Sequence, residues 1–199
     1  MKVGYAVLYA DGTLVISKNH TILPQKIKID YDKFEDTCVP WKRESEKIKK
    51  VRILDQVKTT CMHAWFGNCM NLLTLIDFEN LDVSNCIDFS YMFYNCNSLQ
   101  DLNGLENWNV SNGEYFSRMF AYCDSLQNID ALQNWNVSNC IDFFKMFEYC
   151  TSLENILLPN KLSILSKKMF YECNSTLKIN WKKHIYTYED LLTYEEIFY

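Results

Sequence analysis

Apolar and polar positions along this chain form a pattern that returns every 27 residues. A cysteine, two polar or small residues and a leucine recur as Cys96-Asn97-Ser98-Leu99, Cys123-Asp124-Ser125-Leu126 and Cys150-Thr151-Ser152-Leu153. The same shift carries Met92-Phe93 onto Met119-Phe120 and Met146-Phe147, and Trp108 onto Trp135. It carries Val83-Ser84-Asn85 onto Val110-Ser111-Asn112 and Val137-Ser138-Asn139. One step back lie Cys69 and Phe66; one step forward the interval shortens to 23, at Met169-Phe170 and Cys173. Phe89, Met92, Phe93 and Cys96 fall at i, i+3, i+4 and i+7, which predicts a short helix. Leu99 with Leu102, Leu126 with Ile129 and Leu153 with Ile156 predict one short strand per unit.

A period of this size with leucines at fixed offsets is the signature of a leucine-rich repeat. No such unit buries its own apolar face, so the units must stack, each touching its neighbours. The expected fold is therefore an α/β leucine-rich-repeat solenoid. Each 23–27-residue repeat contributes one short strand and one short helix, and the strands join in a parallel sheet of about five or six. The array spans 50–181. It opens with a strand at Lys50–Leu54 and a degenerate helix at Thr59–Phe66, where Trp65-Phe66 fills the Met-Phe slot. Residues 1–49 form an N-terminal cap. In it, Val3–Tyr9 and Thr13–Ser17 alternate around Asp11-Gly12 as a β-hairpin. Ile22–Lys42 reads as loop, and Glu44–Lys50 as loop or a helical turn. Residues 182–199 read as a cap helix, with Thr187 as N-cap, Asp190 three residues on, and an apolar face of Leu191, Leu192, Tyr194, Ile197 and Phe198.

With these residues set out, the chain resembles a known family. Trp135-Asn136-Val137-Ser138-Asn139, followed by Met146-Phe147, Cys150 and Leu153, resembles the repeat of BspA-like leucine-rich repeat proteins. That repeat is the mycoplasma-type domain of unknown function. The 23-residue unit with Leu158-Pro159, Met169-Phe170 and Cys173 is similar to the Treponema-type leucine-rich repeat. The resemblance spans roughly residues 50–181 and implies the leucine-rich-repeat fold and a binding role. Members are mostly secreted or surface-anchored binding proteins of bacteria and some protists, implicated in adhesion.

Composition fits a globular chain: 199 residues, 48% apolar, 15% aromatic, with five glycines and three prolines. Five of the nine cysteines, Cys69, Cys96, Cys123, Cys150 and Cys173, share one repeat position. They read as small buried hydrophobes, with Cys38 as the expected exposed thiol. Cysteine pairs and histidines at metal-ligand spacing are lacking, so neither metal nor cofactor is expected. His20, His63 and His184 are scattered and no catalytic motif occurs, so no enzyme is expected. Asp88 and Asp142 read as helix-start residues. No apolar run approaches the ~20 residues of a membrane helix. The segment from Met1 to Gly12 lacks a signal-type apolar stretch. A cytoplasmic location is expected, with a secreted or cell-surface one the alternative for a piece of a longer protein.

Charge is uneven. Residues 1–60 hold 12 Lys and Arg against 8 Asp and Glu, whereas 61–156 hold 2 against 12. The acidic body argues against binding a nucleic-acid backbone and for a protein partner with a basic patch. In a strand, residues alternate faces. If Leu102, Ile129, Ile156 and Ile179 face inward, then Thr74, Asp101, Asn128, Asn155 and Lys178 form one outward column. Ile76, Asn103, Asp130, Leu157 and Asn180 form the second. These ten residues are the candidate binding face. The expected function is a non-enzymatic protein-binding module. The alternatives are an adhesin, or a phage or mobile-element inhibitor of a host or defence protein.

Overall fold

The computed structural model describes residues 2–19, 27–35, 39–159, 161–162, 164–193 and 196–198. The expected hairpin forms: β1 (Lys2–Tyr9) and β2 (Thr13–Ser17) pair antiparallel. At its turn Gly12 has φ +88°, and a Cβ there would stand 2.6 Å from the Lys47 carbonyl oxygen, so glycine is required. The loop expected over Ile22–Lys42 is in part a strand. β3 (Ile27–Glu35) pairs antiparallel with β1 at the sheet edge. Its isoleucines alternate with charged residues, which suits an edge strand and disguises it as loop. His20 and Cys38 lie outside the described residues.

Pro40–Lys47 forms a 3₁₀ helix. Its Trp41 is fully buried, stacks on Phe66 at 6.3 Å, and donates its ring N–H to the Trp65 carbonyl at 2.7 Å. β2 pairs in parallel with β4 (Lys50–Ile53), and β4 with β6 (Thr74–Ile76), completing a five-stranded sheet. β5 (Val57–Lys58) pairs in parallel with β7 (Leu81–Asp82). β8 (Asn155–Leu157) pairs in parallel with β10 (Lys178–Trp181), and β10 antiparallel with β11 (His184–Thr187). β9 (Ile164–Ser166) pairs antiparallel with β12 (Glu196–Phe198).

The repeat units depart from the expected array in two ways. First, the sheets are small and separate, and Leu99–Leu102 and Leu126–Ile129 are not strands. In both, an Asx turn replaces extended backbone. Asp101 Oδ1 accepts from the Asn103 N–H at 3.1 Å, and Asn128 Oδ1 from the Asp130 N–H at 3.3 Å. Such side-chain bonds compete with the ladder. Second, the described units carry no α-helix. The one α-helix among the described residues, α1 (Tyr188–Thr193), lies past the array. Its capping box is as expected: Asp190 accepts from the Thr187 N–H at 2.7 Å, and Thr187 Oγ1 from the Asp190 N–H at 3.2 Å. Leu191 is buried and Tyr194 lies outside the described residues, but the helix expected over 182–199 covers only 188–193: His184–Thr187 is strand β11, and Ile197 and Phe198 fall in strand β12.

The Met-Phe segments at 92–93, 119–120 and 146–147 are instead turns read across neighbouring units, and Met169-Phe170 closes a 3₁₀ helix, Lys167–Phe170. Met92 and Cys96 donate backbone N–H groups locally, to Phe89 and Phe93 carbonyls. Tyr91, Phe93 and Asn95 donate to Ser117, Met119 and Ala121 in the next unit. The same alternation recurs from Phe66 to Met92, Phe120 to Met146 and Phe147 to Met169. Left-handed residues four apart interrupt any helix: Ala64 and Asn68, Tyr91 and Asn95, Arg118 and Tyr122, Lys145 and Tyr149. The apolar positions still converge. Phe66, Phe93, Phe120, Phe147 and Phe170 stack at centroid distances of 5.5, 5.6, 5.5 and 5.3 Å. Each such contact adds ~0.5–1.5 kcal/mol beyond its buried area. Asp88 and Asp142 begin turns, not helices, accepting from the Ser90 and Phe144 N–H groups at 2.8 and 2.7 Å.

Candidate interaction surface

Stacking leaves two long faces with different chemistry. On the first, Leu102, Ile129, Ile156 and Ile179 are buried. All ten flanking candidates, Thr74, Ile76, Asp101, Asn103, Asn128, Asp130, Asn155, Leu157, Lys178 and Asn180, are exposed or half-exposed. The columns are in register at their far end, where Asn155 is opposite Lys178 and Leu157 opposite Asn180. At the near end Thr74 and Ile76 stand opposite Lys50 and Arg52 of β4. Between them, Asp101 to Asn103 and Asn128 to Asp130 sit on turns, so the columns are interrupted. Asn180 spends its amide on the Ile156 carbonyl at 3.2 Å. Gln127, Asn128, Thr151, Ser152, Glu154 and Asn155 line an open polar groove.

The second face was not singled out from sequence. Arg118 and Lys145, the body's two cations, meet there over Glu148. Glu148 is only 4% exposed. Arg118 Nε donates to Glu148 at 3.2 Å and Nη1 to the Tyr91 hydroxyl at 2.9 Å. Its guanidinium lies 5.1 Å from the Phe144 ring centroid, and Lys145 Nζ 4.4 Å from that of Tyr171. Ile87, Tyr115 and Ile141 are exposed nearby, bridged through the Asp88, Tyr115 and Asp142 ladder. The repeat shift maps Tyr91 onto Arg118 and Lys145, so the column was legible as outward positions between buried Met and Phe.

The cysteine column is internal. Burial pushes Cys69 and Cys173 up to about 12, and Cys96 and Cys150 well above the usual thiol range. Among the described residues, His63 pairs with Asp88 at 3.2 Å, far along the chain from His184. No group of three or more His, Cys, Asp or Glu among them could hold a metal ion. No helix among them is long and apolar enough to cross a membrane.

The stacked turn unit has a named counterpart: residues 60–183 match the family model described as "Mycoplasma protein of unknown function, DUF285". The chain belongs to this family. The mycoplasma-type repeat expected from residues 135–153 is thereby shown. A search of the curated proteins gives no match. Among solved structures, a leucine-rich cell surface protein from Faecalibacterium prausnitzii A2-165 is similar, with a TM-score of 0.48 and 16% identity. The likeness covers 90% of this chain and 49% of that one, so this chain spans about half of that protein's length.

Proposed function

We propose that this DUF285 chain is a non-enzymatic protein-binding module, a short leucine-rich-repeat solenoid with end caps at 1–49 and 182–199. Its partner carries a basic patch, and the first, acidic face receives it. The observation that supports this is that Asp101, Asp130 and Glu154 project from successive units and take part in no ion pair among the described residues. Repeat stacks offer such extended faces for binding, and complementary charge speeds encounter more than it deepens affinity. The test begins with capture of a partner from cell lysate and continues with association rates. Asp101→Asn with Asp130→Asn keeps size and polarity and removes two charges. The double variant should associate more slowly, with a weaker salt dependence, because the Debye length shrinks from ~10 Å at 0.1 M to ~3 Å at 1 M. An unchanged rate, together with loss of binding in Tyr115→Ala, would move the site to the second face.

A further inference from the structure

We propose that the acidic face also receives a second copy of this chain, head to tail, through the basic ridge formed by Lys42, Arg43, Lys47 and Lys49. This rests on the reading above that the face binds a basic protein surface. The ridge is fixed in place. Trp41 and Ile48 within it are fully buried. The Asn71 amide donates to the Glu46 carbonyl at 2.7 Å, and the Leu73 N–H to the Lys49 carbonyl at 2.8 Å. All four cations are exposed, and none takes part in an ion pair among the described residues.

Some of the other charge is consumed internally. Near the ridge Arg52 pairs with Asp77 at 3.4 Å and Lys58 with Asp82 at 3.1 Å. Farther along, Arg118 and Lys145 are both spent on Glu148. Among the charges that take part in no ion pair of the described residues are these four cations at the N-terminal end and the carboxylates Asp101, Asp130 and Glu154 on later units, with Lys178 the one cation among the ten residues of that face. Trp41 holds the ridge against the first unit, so it does not fold back onto those carboxylates. A neighbouring copy has no such restraint. Because ridge and face are different patches, the contact is heterologous: each pair keeps one free ridge on one copy and one free face on the other, and association continues into a ring or an open row.

Sedimentation velocity on the purified chain tests this at ~0.02 M and ~0.5 M salt. The mass should exceed the monomer at low salt, rise with concentration, and return to monomer at high salt. Two charge-reversed variants follow, each checked for its fold by circular dichroism: Lys42→Glu with Arg43→Glu, Lys47→Glu and Lys49→Glu, and Asp101→Lys with Asp130→Lys and Glu154→Lys. Each alone should self-associate ~10-fold more weakly or worse. Mixed, they should associate again, since each variant's ridge now fits the other's face. Wild type that stays monomeric at ~0.1 mM and low salt would overturn the proposal, as would a mixture that fails to recover. If wild type is monomeric while Asp101→Asn with Asp130→Asn still slows capture of a basic protein, self-docking falls and the binding reading stands.

Discussion

Cys96 shows how one residue joins two units. Its Sγ donates to the Phe66 carbonyl at 3.2 Å, and Cys123, Cys150 and Cys173 repeat the bond to Phe93, Phe120 and Phe147 at 3.3, 3.1 and 2.9 Å. The position needs a small apolar group that can still donate, and cysteine meets both demands. A thiolate there would be desolvated and unable to donate, so burial raises the thiol pKa. An unfolded thiol titrates near ~8.5, whereas Cys69 is pushed up to about 12. The folded chain therefore keeps protons that the unfolded chain releases. The thiol contribution to stability is complete below pH ~8.5 and is lost as pH rises toward about 12. Denaturant midpoints should fall between pH 8 and 10, and Cys69→Ala should flatten that decline. Thiol labelling of the native chain should reach half-buried Cys61 before any ladder cysteine. Glu148→Gln leaves Arg118 and Lys145 half-buried without their carboxylate and should cost about 1–3 kcal/mol, read by urea unfolding.

At the scale of elements, the apolar pattern is a better guide to which residues are inside than to the backbone that puts them there. Phe89, Met92, Phe93 and Cys96 are all buried, as helical spacing implies. Their segment is nevertheless a turn, because left-handed Tyr91 and Asn95 divert alternate N–H groups to the next unit. Nothing in the i, i+3, i+4 pattern separates these outcomes, since a coil punctuated by left-handed residues also brings such positions to one side. The strands at Leu99 and Leu126 fail for a legible reason, Asp101 and Asn128 being residues that favour Asx turns. The hairpin and the Thr187 capping box were readable because turn and cap chemistry is local. β3 was not, because charged residues interrupt its apolar run. Burial of Leu102 and Ile129 survives the missing strands, so Leu102→Ala or Ile129→Ala should each cost about 2–5 kcal/mol. Equilibrium denaturation measures this; a cost below ~0.5 kcal/mol would mean that these side chains are not inside.

For the whole molecule, stability depends on what covers the ends, because a stack of units presents an apolar layer wherever it stops. The N-terminal end is closed twice over: β2 extends the sheet beyond β4 by parallel pairing, and Trp41 lies across Trp65 and Phe66 at 5.9 and 6.3 Å. Trp41→Ala removes both ring contacts, opens a cavity at the first unit and leaves the Trp65 carbonyl without the indole donor. The direct loss should be about 3–5 kcal/mol. Its reach distinguishes a stack from a globule. In a stack with nearest-neighbour coupling, the damage decays with distance from the end. Amide hydrogen exchange in Trp41→Ala should therefore quicken most at Phe66 and Cys69, whose N–H groups are bonded to Met92 and Phe66 carbonyls, and least at Leu158, bonded to Asn180. The reverse gradient is expected for Trp181→Ala, since fully buried Trp181 belongs to β10 at the far end. Uniform loss of protection along the chain in either variant would show that the units unfold as one cooperative body, and that residues 1–49 are more than a cap.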